Sequence, residues 1–432
     1  MKHRMTLYKR LELRLSSSLE QSKQKQTLLG TLIRGISAAI TGVFLSYFLS
    51  GFVQILIVRQ LGKLLYGEYA TLTATLGLMA SLLGFGLDVW VLSEGGRDHS
   101  TLAMNIGHVL WAKIVGAVVL LALVALAWSN QMVETPAFVI GVLGIIFDSF
   151  TSTGYSALRA LNRNGSVAIF QVVSPLVLLG AIGAMQYVGA SVLLLFFVQA
   201  LTSAALATTL LLLLRKLVGP LLLHRFRLWY LVNGAWLFVA ADVLSNIYTQ
   251  SSIVILGRLV DQTLVGLWKP ALNVIGFTFL VPSLLFLVGL PQLNAVTRDR
   301  RQYRSLLLAL SAGALCYGVA VMIGLWLFNG FIVQLLFGHE YDAALPLVRA
   351  MSLVPLFKSG SFVCVAILLS LNRQLVRVGL QAIVTVLSVI GGLVFIPIYG
   401  LQGAVWLYVA IEALIFILYL AGAAFQLRRA WR

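Results

Sequence analysis

Charge is scarce in this sequence. Only 10% of its 432 residues are Asp, Glu, Lys or Arg, against roughly 25% in a soluble protein. Such a chain cannot cover a water-facing surface, which excludes a soluble globular fold. Cysteine is scarce as well. Cys316 and Cys364 both fall within apolar runs and read as small packing residues rather than a disulfide or a metal pair. The histidines His3, His99, His108, His224 and His339 are scattered without metal-ligand spacing, so no metal site is expected. A Gly-x4-Gly-Lys-Ser/Thr loop is missing too. Neither nucleotide hydrolysis nor any cofactor is implied.

Apolar residues are abundant, at 60% of the chain with a mean hydropathy of +0.97. Runs of ~20 apolar residues can span a ~30 Å hydrocarbon core, and they recur along the whole length. The pattern predicts an all-α polytopic membrane protein of about twelve spans. The first six lie near 35–58, 69–92, 106–128, 137–160, 166–188 and 190–214. Six more follow near 229–257, 264–290, 305–327, 344–371, 375–398 and 401–424. Residues 1–34 form a basic segment, with Leu7, Leu11, Leu15 and Leu19 at helical spacing. They read as a cytoplasmic amphipathic helix on the membrane surface rather than a cleaved signal peptide.

The net charge of +17 fits the positive-inside rule and contact with anionic lipid better than nucleic-acid binding. With the N-terminus inside, 24 of the 31 Lys and Arg residues fall on one side. Arg59, Lys63, Arg258 and Lys269 fall on the other, while Lys113, Arg349 and Lys358 lie within or at the ends of spans. This asymmetry predicts a cytoplasmic-membrane protein with both termini cytoplasmic.

The chain also repeats itself. Leu161-Asn162-Arg163 follows span four and Leu371-Asn372-Arg373 follows span ten, each with a Gln eight residues after its Arg (Gln171 and Gln381). Leu61, Gly67 and Tyr69 correspond loosely to Leu259, Gly266 and Trp268, and Gln199-Ala200-Leu201 to Glu412-Ala413-Leu414. The echoes hold equal rank in each half. They predict two parallel six-helix bundles, 35–214 and 229–432, joined by a basic cytoplasmic linker at 215–228. That architecture places a substrate between the halves.

The stretch Ile55–Glu94 resembles the polysaccharide biosynthesis (Wzx-type) flippases of the MOP superfamily, which also holds the MATE drug exporters and lipid II flippases. The resemblance rests on Leu61, Gly62, Gly67 and Tyr69, on Gly84, Gly86, Leu87 and Asp88, and on Leu371-Asn372-Arg373 with Pro397, Gly400, Gly403 and Ala404. It implies transport rather than covalent chemistry. The implied cargo is a polyprenyl-pyrophosphate-linked oligosaccharide moved between leaflets by two alternating lobes. Implied partners are the lipid-linked glycan, and a glycan polymerase or glycosyltransferases acting before and after it.

Charges inside spans usually face a cavity. Lys358, near the midpoint of span ten, is positioned to attract a pyrophosphate or acidic sugar, or to pair with Glu412 of span twelve. Asp242, Asn246 and Gln250 share one face of span seven and read as a cavity stripe or as interhelical hydrogen bonding. Asp148, with Ser149, Ser152 and Thr153 nearby, reads as a proton or cation site. Asp88 is expected to pair with an inner-loop arginine or to cap a helix. Arg34 opens span one and could meet pyrophosphate or simply anchor the helix. Span one is polar enough to line the central path. Two rival readings remain: a MATE-like cation-coupled exporter of organic cations, favoured by Asp148 and Asp242, and a membrane glycan polymerase or ligase. The latter would need a roomy outer loop, and the most polar one offers only His339, Glu340 and Asp342.

Overall fold

The structure is a computed structural model that describes residues 45–84, 86–129, 135–220, 228–297 and 299–430. The amphipathic segment, Arg34, the start of span one and half of the basic linker lie outside the described residues.

The described residues are helical almost throughout. Nine helices are long and apolar enough to cross a membrane, or ten with one bent pair. Two of the nine are hairpins. Leu45–Ala80 carries left-handed backbone at Gly62 (φ +67°), and the Gln54 side chain is hydrogen-bonded to the Tyr69 hydroxyl oxygen. Fifteen residues of straight helix would separate those two by about 22 Å. The stretch Gln374–Ala430 folds back at Gly400 (φ +56°). There, a Cβ on Gly391 would meet Leu407, and one on Gly403 would meet the Phe395 carbonyl.

Opening both hairpins gives twelve crossing segments, as the sequence pattern predicts. We number them α1 (45–61), α2 (63–97), α3 (Leu102–Ser129), α4 (Pro136–Ala160), α5 (Asn164–Val188) and α6 (Val192–Val218). The second half holds α7 (Leu228–Leu259), α8 (262–295), α9 (Arg300–Phe337), α10 (339–370), α11 (374–399) and α12 (401–430). The α9 helix is longer than expected. Its 38 residues reach about 57 Å, because the apolar helical pattern runs on through Phe328–Phe337 beyond the hydrocarbon thickness.

Local chemistry sets the ends and bends. Ser191, Asp261 and Asp299 cap helix N-termini by accepting from backbone N–H groups two or three residues on. The two Leu-Asn-Arg echoes form the same structure. Asn162 (φ +58°) and Asn372 (φ +56°) are the only described non-glycine residues with positive φ. In both, the Arg N–H donates back to the carbonyl five residues earlier (Leu158 and Leu368) at 2.9 and 2.8 Å. This is a Schellman cap, which needs a residue tolerant of the left-handed region.

Prolines bend the spans where a neighbour satisfies the freed carbonyl. The α8 helix breaks into Gln262–Phe277 and Leu280–Ala295, bent by 41°. Pro282 cannot bond the Thr278 carbonyl, and the Tyr317 hydroxyl of α9 donates to it instead at 2.7 Å. Pro175 likewise frees the Gln171 carbonyl, which accepts from Ser46 of α1.

The halves meet through small residues, as helices packed in lipid must when apolar burial gives no net drive. A Cβ on Gly67 would lie 1.9 Å from the Gln262 carbonyl oxygen, and one on Gly266 would lie 1.9 Å from the Lys63 carbonyl oxygen. Each contact is the other displaced by 199 residues. Such reciprocity is the mark of a two-fold axis, here relating the two halves of one chain. The same axis pairs α2 with α7, where Gly77 meets Gln250 and Gly86 meets Phe238 and Val239, and α1 with α8, where Gly51 meets Phe277.

Candidate functional site

Three polar features lie in the described core. The first is a buried ion pair in the first half. Lys113 of α3 is fully buried and donates from Nζ to Asp88 Oδ1 (2.8 Å) and Oδ2 (2.9 Å), to the Ser149 carbonyl (2.6 Å) and to Thr153 Oγ1 (2.8 Å). The Thr153 hydroxyl also bonds Asp88 Oδ1. The partner of Asp88 is therefore Lys113, not an inner-loop arginine. A 3-10 turn at Ser81–Leu83 and the left-handed Gly84 break α2 just before Asp88. The restarted helix Gly86–Arg97 then points that carboxylate into the bundle. Sequence reasoning counted Lys113 only as a charge within a span. The signal available was that a lysine eleven residues into α3 cannot easily reach either surface.

The second feature is a cavity of about 380 Å³ where α2, α4 and α6 meet α7 of the other half. Asp148, Asp242, Asn246 and Gln250 all line it, joined by Gln199 and Ser203 of α6. Asn246 Nδ2 donates to Asp242 Oδ2 at 3.2 Å. The lining holds two carboxylates and no Lys or Arg, so its field favours a cation or a neutral polyol over an anion. Among the described residues no cluster of three or more metal-ligating side chains occurs.

The third feature lies in the second half. Lys358 Nζ donates to Glu412 Oε1 at 2.9 Å, and the Tyr248 hydroxyl donates to the same oxygen. Lys358 is thus paired with Glu412. Its ammonium also sits 5.3 Å from the ring centroids of Tyr248 and Phe279, and its side chain is 22% exposed, against 1% for Glu412. The position of Lys358 reflects the internal repeat. Asp148 and Lys358 are 210 residues apart, the offset of the Leu-Asn-Arg echo. The acid of α4 has become the base of α10.

Phe279 leads to a groove of about 550 Å³ between α1 and the bend of α8. Tyr47, Phe48, Gln54, Lys269 and Asn273 line it. Lys269 is an α8 residue seven positions inside the helix, not the outer-loop charge that the sequence suggested. No ion-pair or hydrogen-bond partner for it is found among the described residues. On the opposite side of the interface α2 and α7 close beside the polar cavity, with Gly86 against Phe238 and Val239 and Trp90 against Tyr230 (5.8 Å), and Tyr230 donates to Asn105 of α3.

The end of the molecule bearing Gly62 is sealed. Beyond the Gly67–Gly266 contact, Arg59 donates to the carbonyls of Leu335 and Leu336 at the C-terminus of α9, where a cation meets the helix dipole. The Tyr341 hydroxyl donates to the Val58 carbonyl at 3.0 Å. His339 and Asp342, the groups an enzyme reading would need, form an exposed pair 3.6 Å apart and line none of the cavities described.

Two parallel six-helix halves around a two-fold axis, with polar space between them, are the architecture of the MOP superfamily of transporters, and solved structures carry the same fold. An inward-facing multidrug resistance MATE family transporter of that superfamily aligns with a TM-score of 0.69 at 14% identity, covering 91% of this chain and 98% of its own. The lipid II flippase MurJ in an inward closed conformation aligns with a TM-score of 0.73 at 14% identity, covering 89% and 87%. A MOP superfamily transporter from Pyrococcus furiosus, described as having a binding pocket of reverse polarity, aligns at 0.67 and 13% identity, covering 92% and 95%. No curated protein matches by sequence. The model of the polysaccharide biosynthesis protein family matches residues 32–285, more than half of the sequence, and the chain belongs to that family.

Proposed function

We propose that the chain flips a polyprenyl-pyrophosphate-linked oligosaccharide across the cytoplasmic membrane by alternating access, for export of a polysaccharide or O-antigen-type glycan. One observation carries the reading. In a member of the polysaccharide biosynthesis family, Lys269, which has no ion-pair or hydrogen-bond partner among the described residues, lines a groove open between the halves. A cation at membrane depth is costly unless an anion meets it. A diphosphate entering sideways from the leaflet supplies that anion while its polyprenyl tail stays in lipid. The aromatic rings beside Lys269 suit the apolar faces of sugars, and Gln54 and Asn273 suit their hydroxyls. Lys358, behind Phe279, adds positive potential that Glu412 partly cancels. Arg34 would meet the same diphosphate at the inner face.

Sealing at the Gly62 end corresponds to a transporter closed to the outside, with both termini in the cytoplasm. Asp148 and Asp242 would bind the coupling proton or cation. Glycosyltransferases on the cytoplasmic side would supply the cargo, and a polymerase or ligase would consume it outside.

The test is glycan export in a deletion strain carrying Lys269→Ala or Lys269→Arg. Alanine is expected to lower export at least tenfold while arginine retains most of it. Equal export by the alanine variant, at equal protein level, would remove the proposed path. The two cavity carboxylates favour a second reading, a MATE-like exporter of organic cations. Cells expressing Asp242→Asn would then accumulate a cationic dye, with glycan export unaltered.

A further inference from the structure

The second half presents an arginine to the lipid. Arg349 is exposed and lies in the broken start of α10, where the short helix Leu345–Ala350 is followed by a 3-10 turn, Met351–Leu353. Its guanidinium sits over the Trp326 ring, 4.5 Å from the centroid. Trp326 is eleven residues before the end of α9, about 16 Å along the helix. The charge therefore sits at the level where α9 leaves the hydrocarbon layer, the depth of a lipid phosphate. Among the described residues no carboxylate lies within ion-pair distance of it.

Around Arg349 lies an apolar trough of about 730 Å³, lined by Met322, Ile323 and Leu327 of α9, Leu353 of α10 and Trp406 of α12. Trp406 is also one wall of a second trough of about 360 Å³, between Phe395, Tyr399 and Leu407. Two apolar troughs thus share a tryptophan wall beside one uncompensated guanidinium. This is the complement of a lipid with one anionic phosphate and two acyl chains. A guanidinium binds a phosphate diester through paired N–H donors, and an indole face holds the guanidinium in place from behind.

We propose that this surface is a specific site for an anionic diacyl phospholipid, in the leaflet at the Gly62 end. Arg349 takes the phosphate, and the troughs on either side of Trp406 take the chains. The site shares no lining residue with the α1–α8 groove and does not depend on the identity of the cargo. The positive-inside pattern draws anionic lipid to the opposite leaflet and does not account for it.

Native mass spectrometry of the delipidated protein tests the proposal, with dioleoyl phosphatidylglycerol and dioleoyl phosphatidylcholine titrated separately. The wild type is expected to retain the first lipid about tenfold better, the range of one charge-assisted contact. Arg349→Gln removes that preference, and Arg349→Lys keeps part of it. Trp406→Ala weakens retention of both lipids. An unchanged preference in Arg349→Gln overturns the proposal. So does a wild type that runs as a dimer and becomes a monomer on Trp406→Ala, because the face would then belong to a second copy. Should Arg349→Gln not purify as a folded protein, quenching of wild-type tryptophan fluorescence by brominated phosphatidylglycerol decides. Quenching no stronger than by brominated phosphatidylcholine overturns the site.

Discussion

Replacing Asp88 with asparagine removes the carboxylate that Lys113 Nζ contacts, so the fully buried ammonium keeps neutral acceptors such as Thr153 Oγ1 and the Ser149 carbonyl in place of its ion pair. Breaking a buried pair from one side costs about 3–5 kcal/mol, because the remaining charge is stranded. Unfolding entropy scaled to a chain of this length converts that to a fall in melting temperature of about 3–6 °C. Lys113→Met alone strands Asp88 and is expected to fall by a similar amount, with Thr153 softening the loss. Together the two changes remove both charges and leave an apolar side chain of similar length. The double variant is expected within about 2 °C of wild type. Intrinsic tryptophan fluorescence during heating in one detergent reads all four proteins. If Asp88→Asn melts with the wild type, or the double variant melts as low as the singles, the ion pair does not stabilise the first half and the reasoning fails.

Two further predictions concern the packing of the halves and the repeated turns. Gly67→Val places methyl groups into the Gln262 carbonyl and is expected to hold the Gly62 end apart at a cost of about 1–3 kcal/mol or more. A cysteine at Asn273, with Cys316 and Cys364 replaced by serine, should then react faster with a membrane-impermeant maleimide; an unchanged rate would show that the contact does not seal that end. At Asn372 the left-handed backbone penalises a β-branched residue by about 1–2 kcal/mol. Asn372→Val should therefore melt lower while Asn372→Gly does not, and equal melting of the two would contradict the cap.

The two tests above differ in what the sequence could foresee. Asn372 was legible as a repeat because Leu-Asn-Arg is a local signal. The residue that tolerates positive φ and the arginine that follows are neighbours in the chain, so the Schellman cap is written in three letters. Lys113 was not legible, because Asp88, Ser149 and Thr153 come from α2 and α4 and nothing near it in sequence names them. Lys269 was misplaced for a related reason. A count of charges against span ends treats a helix as a cylinder of fixed depth, whereas α8 begins earlier and bends at Pro282.

Composition and apolar period determined that lipid is the solvent and that twelve segments cross it, and the short internal echoes determined that they form two parallel halves. These properties depend on hydration and on local periodicity, which each segment carries by itself. Tertiary structure alone decided how the charges are used. It matched Lys113 to Asp88 and Lys358 to Glu412, gathered Asp148 and Asp242 into one cavity, and left Lys269 and Arg349 without an anion among the described residues. Such choices rest on distances of a few ångströms between residues from 25 to more than 90 positions apart. Only the packed bundle fixes those distances, because the cost or worth of a charge in lipid depends on what lies beside it.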